Sequence, residues 1–315
     1  MTKIGFIFPG QGAQYVGMGK ALAEQYPLAQ QLFDEADQAL GFSLSSLCFE
    51  GPEEDLKQTE ITQPAILTVS VIAWRLLAAE GIAPSMVAGL SLGEYSALVA
   101  ANTLGFADAV QLVHKRGRYM QEAVPLGEGG MAAILGLDRQ RLVEVCHQAS
   151  HLGVVAPANF NCPGQIVIAG TAAAVDEAVR LAQEAGARRA VKLPVSAPFH
   201  TSLLEPAGVK LAQELKHARL SRPEVPALAN VTAQPHQDEP EAIAQGLVAQ
   251  VSHPVLWEDC VGTMLHAGID TFVELGPGQS LSAFVRKISR EAKVLNVEDP
   301  VSLNKTVESL RGDAV

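Results

Sequence analysis

The chain has 315 residues, of which 48% are hydrophobic and 18% are charged, and this composition excludes a disordered protein and a small disulfide scaffold. Lys and Arg number 23 against 34 Asp and Glu, which gives a net charge of −11 and argues against nucleic acid or an anionic membrane as the main partner. The length suggests two domains, or one large α/β domain with an insertion.

The first part of the chain alternates short apolar runs with helical patterns, as parallel strands with helical crossovers do. The predicted elements are a strand over 3–8, helices up to residue 40, a long buried helix over 61–80, a strand over 86–89, and helices over 92–102 and 106–124. The apolar stretch 61–79 carries Gln63, Ser70 and Arg75, so we expect a core helix rather than a membrane span.

From residue 127 the pattern changes to that of a small insert. The predicted elements are a strand over 131–135, a helix over 138–149, strands over 154–160 and 165–169, a helix over 172–185, and a strand over 189–195. This β-α-β-β-α-β order predicts a ferredoxin-like unit at 127–197, flanked by glycines and by Ser196-Ala197-Pro198. The larger domain would then comprise 1–126 and 198–315, with strands near 225–230 and at 271–275 and a weakly packed end at 300–315.

The location of the protein is predicted from its first residues and its cysteines. The apolar run at 4–8 is too short for a signal peptide, so we expect a cytoplasmic protein. The cysteines form no C-x-x-C pair, which disfavours a zinc site and disulfides alike. They are Cys48, Cys146, Cys162 and Cys260.

Gly89-Leu90-Ser91-Leu92-Gly93 is a G-x-S-x-G motif between a predicted strand and a predicted helix, the setting of a nucleophile elbow. Glycines two residues before and two after the serine avoid a clash in the tight turn. The helix start leaves backbone N–H groups free to face an oxyanion, and the amide of Leu92 is best placed. An ordinary serine in a glycine-flanked turn is the alternative.

A nucleophilic serine needs a base, usually histidine. His200 follows the last predicted strand of the insert, where the backbone fixes it and it can face a cleft between domains. His253 and His266 remain the alternatives. The other histidines have polar surroundings in which a solvated side chain is the better explanation; they are His114, His147, His151, His217 and His236.

Arg116 lies on a mostly apolar row of its helix, with no acidic residue one turn away on that face. Its partner is therefore a distant residue of the fold or a ligand carboxylate. Gly10-Gln11-Gly12 follows the first strand but matches neither the dinucleotide pattern nor a Walker A loop. It is better explained as a loop that presents backbone amides at the carboxyl end of the sheet.

With these residues placed, the chain closely resembles the malonyl-CoA:acyl carrier protein transacylases of bacterial fatty acid synthesis over nearly its whole length. The resemblance implies an α/β-hydrolase-like large domain with a ferredoxin-like insert. The matching segments are Phe8-Pro9-Gly10-Gln11-Gly12, Thr62-Gln63-Pro64-Ala65, Gly89 to Tyr95, Arg116-Gly117, Asn159 to Gln165, Phe199-His200 and Glu274 to Gly278.

The resemblance also implies roles for individual residues. Ser91 corresponds to the acylated nucleophile, His200 to its base, and the amides of Gln11 and Leu92 to the oxyanion hole. Arg116 corresponds to the residue that holds the malonyl carboxylate. Gln250 corresponds to the residue whose backbone carbonyl orients the histidine, Gln63 to a pocket-lining residue, and Phe199 to a bulky residue of malonyl-selective members. Leu90 departs from the family, in which many members have His.

The function expected from this is ping-pong transfer of malonyl from malonyl-CoA to an acyl carrier protein, by a monomer that needs no cofactor or metal. A serine esterase or thioesterase with His253 or His266 as base, and a non-catalytic carrier-binding module, are the alternatives. The acceptor can be a fatty acid or a polyketide carrier. An acidic carrier requires a local basic surface, either Arg188, Arg189 and Lys192 or Arg286, Lys287 and Arg290.

Overall fold

The larger part of the fold is built on a four-stranded parallel sheet with the order β2-β1-β7-β8. The computed structural model describes residues 3–125, 127–195 and 197–312. The strands of this sheet are β1 Ile4–Phe8, β2 Met86–Gly89, β7 Thr271–Leu275 and β8 Lys293–Val297. Successive side chains of a strand point to opposite faces, and in β1 Phe6 packs into one buried apolar cluster while Ile7 packs into another.

Helices cover both faces of this sheet. They are α1 Lys20–Gln25, α2 Pro27–Leu40, α3 Leu44–Glu50, α4 Glu53–Leu56, α5 Thr59–Ala79, α6 Leu92–Ala100, α7 Phe106–Glu122, α10 Glu205–Leu215, α11 Pro240–Ser252, α12 Trp257–His266, α13 Ser280–Ile288 and α14 Pro300–Gly312. In the described part of the chain, α5 is the one helix long and apolar enough to cross a bilayer, and 83% of its most apolar window is buried inside the protein. It packs as a core helix, as predicted.

The smaller part is an antiparallel sheet with the order β4-β5-β3-β6 and two helices on one side. Its elements are β3 Gly129–Leu135, α8 Arg139–Ala149, β4 Val155–Cys162, β5 Gln165–Thr171, α9 Ala172–Glu184 and β6 Arg189–Lys192. It encloses a separate apolar core. The β-α-β-β-α-β order and the two separate sheets confirm the predicted fold class.

In the second half, two predictions were wrong and one strand was not predicted. The segment 225–230 forms isolated bridges, such as Val87 with Ala227, because Pro226 lacks the N–H that a ladder needs. Strand β8 was missed because its side chains are mostly half-buried at the sheet edge and give no apolar run. The end at 300–315 was expected to be weakly packed, but α14 buries Leu303, Val307 and Leu310 at helical spacing.

The last strand of the insert ends at Lys192 instead of residue 195. Two other predicted features fall partly outside the described residues. Ser196, in the predicted flank of the insert, and residues 313–315, at the predicted weak end, lie outside the described residues.

Candidate active site

Ser91 lies in a tight turn between β2 and α6, at the carboxyl edge of the parallel sheet. Its backbone has φ 52° and ψ −104°, a conformation that is strained for a residue with a Cβ. A Cβ on Gly89 would overlap the backbone of Gly93, and a Cβ on Gly93 would overlap the carbonyl of Phe8. The glycines of the G-x-S-x-G motif are therefore required sterically, and they hold the serine at the sheet edge.

The structure brings His200, of the eight histidines, to the serine. Its Nε2 lies 2.8 Å from Ser91 Oγ, and its Nδ1 lies 2.8 Å from the backbone oxygen of Gln250. A carbonyl oxygen only accepts hydrogen bonds, so Nδ1 carries the proton and Nε2 is free to accept from the serine hydroxyl. This is the tautomer that a general base needs.

The burial of His200 controls its charge. The side chain is 3% exposed, and burial, with a smaller contribution from the nearby Arg116 charge, lowers the pKa of His200 from 6.5 to about 4. The imidazole is therefore neutral near pH 7. His253 and His266, the alternative bases, are exposed and contact carbonyls of their own helices, Ala249 and Gly262.

Arg116 on α7 is 1% exposed and directed at the serine. Its Nη2 donates to Ser91 Oγ at 3.1 Å and to Gln250 Oε1 at 2.8 Å, and its Nη1 donates to Gln63 Oε1 at 2.7 Å. In the described ranges it forms no ion pair with a carboxylate, and its Nε has no acceptor. Burial lowers the pKa of Arg116, so the site holds a desolvated cation without a direct anionic partner.

Gln63 reaches Arg116 from α5, where the next residue is Pro64. Proline has no N–H, so the carbonyl of Glu60, one turn earlier, lacks its helical donor. The ring of His114 takes that place, with Nδ1 2.8 Å from the Glu60 oxygen. Sequence reasoning treated His114 as solvated, whereas it joins α7 to α5 beside the candidate site.

The backbone amides of Gln11 and Leu92 lie at the same sheet edge. Leu92 is the first residue of α6, so its N–H has no acceptor within the helix. Gln11 lies in the turn after β1, and a Cβ on the preceding Gly10 would overlap the Leu90 carbonyl. The turn is therefore packed directly against the serine elbow. Neither amide donates to another part of the described chain.

Phe199 and Leu90 are the other predicted positions beside the site. Phe199 immediately precedes His200 and is 8% exposed within the larger apolar core. Leu90 precedes Ser91 and packs, half-buried, on the opposite face of the sheet. Among the residues that the structure describes, no group of three or more His, Cys, Asp or Glu side chains could hold a metal ion.

A hydrogen-bond network behind Ser91 was missed by sequence reasoning. Asn230 Oδ1 accepts from the Ser91 N–H at 2.7 Å, and Asn230 Nδ2 donates to the Gly89 oxygen at 2.7 Å. The Gln250 side chain donates to the Ser91 oxygen at 2.9 Å. The buried Glu94 side chain accepts from the backbone N–H of Asn230 and from Gln250 Nε2. These contacts hold both sides of the strained turn.

Comparison with known proteins defines the class of this site. Residues 5–310 match the family model of the acyl transferase domain, so the chain belongs to the acyl transferase family. A malonyl CoA-acyl carrier protein transacylase of Bacillus subtilis is 47% identical over 312 residues, which cover 99% of this chain and 98% of the relative. The resemblance found in the sequence is thereby confirmed, and the protein is an acyltransferase.

Solved structures show the same relationship. The Streptococcus pneumoniae protein described as MCAT is 51% identical, with a TM-score of 0.93 over 98% of this chain and 100% of that one. A malonyl-transacylase in complex with its type II PKS acyl-carrier protein is 41% identical, with a TM-score of 0.95 over 98% of this chain and 100% of that one. The two-part fold is therefore that of the malonyl transacylases.

Proposed function

We propose that the protein transfers a malonyl group from malonyl-CoA to the phosphopantetheine thiol of an acyl carrier protein, through a malonyl ester of Ser91. The observation that carries this proposal is the position of Ser91 Oγ, 2.8 Å from His200 Nε2 and 3.1 Å from Arg116 Nη2. A base and a cation able to bind a carboxylate thus lie on either side of the nucleophile.

In the first half-reaction, Ser91 Oγ attacks the thioester carbon while His200 Nε2 takes its proton. The amides of Gln11 and Leu92 stabilise the oxyanion of the tetrahedral intermediate. The carbon–sulfur bond then breaks, and the proton on His200 passes to the leaving CoA sulfur. The Gln250 carbonyl holds the imidazole in the required tautomer, so the site uses a dyad and a backbone acceptor.

In the second half-reaction the carrier thiol takes the place of CoA. His200 removes its proton, the thiolate attacks the malonyl ester, and the proton returns to Ser91 as the ester bond breaks. This cycle needs a neutral imidazole at the start of each half. The lowered pKa of His200, about 4, supplies it at neutral pH. The atoms balance without a cofactor or metal, and we propose none.

Arg116 supplies the selectivity for malonyl. Its guanidinium lies in a buried site where an acyl group lacking the distal carboxylate would leave it unpaired, which costs about 1–3 kcal/mol or more. Gln63 holds Nη1 from the other side. Phe199 precedes the base, and we propose that its ring crowds the α-carbon of the acyl group and disfavours methylmalonyl.

For the carrier protein, the basic surface on the insert is the first candidate. Lys192 forms an ion pair with Asp176, which reduces its contribution to the positive charge of this surface. Arg188 and Arg189 form no ion pair with the described residues, and neither do Arg286 and Arg290 of the second candidate surface. We propose a cytoplasmic monomer in fatty acid synthesis; a polyketide carrier as acceptor is the alternative.

The test is single-turnover transfer. The enzyme is incubated with malonyl-CoA, freed of nucleotide on a desalting column, and mixed with carrier protein bearing or lacking phosphopantetheine. Malonyl should move from enzyme to the phosphopantetheine-bearing protein alone, and acetyl-CoA and methylmalonyl-CoA should load the enzyme poorly. Release of the acyl group to water at the same rate with or without carrier would instead identify a thioesterase.

A further inference from the structure

Glu94 is a buried carboxylate that the proposed reaction steps do not use. It lies one turn after Ser91 on α6 and is 1% exposed. Its Oε2 accepts from the Asn230 N–H at 3.0 Å and from Gln250 Nε2 at 2.7 Å, and its Oε1 lies 2.8 Å from His236 Nε2. A carboxylate is retained in such a place only if charge or hydrogen bonding compensates its desolvation.

The Gln250 side chain joins this carboxylate to Arg116. Its Nε2 donates to Glu94 and its Oε1 accepts from Arg116 Nη2 at 2.8 Å. The amide dipole therefore has its positive end at the anion and its negative end at the cation. Both charges are stabilised through one amide, although they do not touch each other.

Two neighbouring side chains, His236 and Tyr95, lie next to these charges. His236 donates from Nε2 to Glu94 Oε1 at 2.8 Å and does not contact Arg116. The ring of Tyr95 lies under the guanidinium, and its centroid is 5.3 Å from Arg116 Cζ. Burial raises the pKa of the Tyr95 phenol to about 12, so this side chain is uncharged. Glu94 is thus the carboxylate whose field acts on Arg116.

We propose that Glu94 is the counter-charge of Arg116, held one amide away so that no carboxylate of the described chain pairs directly with the guanidinium, whose charge is then available to the carboxylate of the acyl substrate. Glu94 is then a positioning and specificity residue. A carboxylate in direct contact would occupy the donors that the substrate needs. This inference rests on the proposed function, because it takes Arg116 as the group that binds the substrate carboxylate.

The substitution Glu94→Gln separates charge from hydrogen bonding. The Gln oxygen can accept from Asn230 and Gln250, and its NH2 can donate to His236 Nε2 once the ring proton moves to Nδ1. The shape and contacts are kept while the charge is lost. Glu274→Gln is the control, since Glu274 is also buried and accepts two backbone N–H groups, from Leu281 and Ser282, without contacting Arg116. Burial raises the pKa of Glu274 to about 7, so the comparison is made at pH 8, where this carboxylate is mostly ionised.

The experiment measures Tm for wild type, Glu94→Gln and Glu274→Gln, each alone and with saturating malonyl-CoA or acetyl-CoA. Without ligand, Glu94→Gln should lose about 5–10 °C. The increment is defined as the rise in Tm with malonyl-CoA minus the rise in Tm with acetyl-CoA. In Glu94→Gln this increment should be about 3 °C larger than in wild type, because the substrate carboxylate becomes the sole counter-charge of Arg116. The Glu274→Gln increment should equal that of wild type.

Equal increments in wild type and Glu94→Gln would overturn the proposal. A merely structural Glu94 gives that result, because its loss lowers Tm in every condition alike. An absent increment in wild type, together with no acyl-enzyme, would instead refute the proposed function.

A thermodynamic cycle with Arg116→Met keeps the inference testable without substrate, even if Glu94→Gln folds poorly. Removal of both charges should cost less than the sum of the two single changes. The loss of Tm in the double variant, relative to wild type, should therefore be smaller than the sum of the losses in the two single variants. A double variant whose loss of Tm from wild type equals or exceeds the sum of the two single losses would overturn the proposal.

Discussion

Arg116→Ala removes the cation that we assign to the malonyl carboxylate. A pair of unit charges about 4 Å apart is worth about 4 kcal/mol at the effective dielectric constant of about 20 that suits protein sites. Arg116 is buried and forms no direct ion pair with the described residues, so little of this energy is offset by an existing ion pair. We expect kcat/KM for malonyl transfer to fall by about 2–5 kcal/mol in transition-state free energy, while acetyl transfer falls little or rises.

The assay measures the rate at which malonyl-CoA and acetyl-CoA acylate Ser91. The reaction is monitored by stopped-flow, or by mass analysis of quenched samples, at several acyl-CoA concentrations. Arg116→Lys is the control, since it keeps the charge but not the bidentate fork, and should recover malonyl transfer only in part. Thermal unfolding of each variant shows that it is folded. Parallel losses of malonyl and acetyl activity would refute the reasoning and make Arg116 a structural residue.

Four further predictions concern the base, the elbow and the surface. Because the folded pKa of His200 lies near 4, the acylation rate should stay flat down to about pH 5 and fall below it; a midpoint near 6.5 contradicts a buried neutral base. His200 binds a proton more readily in the unfolded chain, so its contribution to the free energy of unfolding is complete above pH 6.5 and falls by about 3 kcal/mol toward pH 4. If denaturant titrations show that His200→Ala loses as much free energy of unfolding between pH 6.5 and pH 4 as wild type does, this prediction is contradicted. Gly93→Ala should abolish folding or acylation because its Cβ overlaps the Phe8 carbonyl, whereas Leu90→His should leave turnover within a few fold; an active Gly93→Ala or an inactive Leu90→His contradicts the elbow geometry. Reversal of Arg188 and Arg189 to Glu should raise the KM for the carrier protein most at low salt, with self-acylation unchanged; a KM that is flat across ionic strength moves the docking surface to Arg286 and Arg290.

The local parts of the structure were the most predictable from sequence. The Ser91 elbow depends on five consecutive residues and on glycines whose need is steric, so its pattern is visible in the chain. The insert is visible because its strands and helices alternate over short distances. Strand β8 was missed because an edge strand with half-buried side chains has no strong periodicity.

The network behind the serine could not be predicted in the same way. Glu94 and His236 are 142 positions apart, and only the folded chain brings them together. His236 lies in a segment of charged residues, which predicted a solvated ring, yet its side chain is 3% exposed. The position of Glu94 one turn after Ser91, on an otherwise apolar helix, was the signal available in the sequence.

The most direct test of the account is the site of acylation. Wild type and Ser91→Ala are incubated with malonyl-CoA, quenched in acid, and analysed by intact mass and peptide mapping. We expect one malonyl group per wild-type chain, on the peptide that contains Ser91, and no adduct on Ser91→Ala. A malonyl adduct that persists on Ser91→Ala, or that maps to another peptide of the wild type, would contradict the central claim.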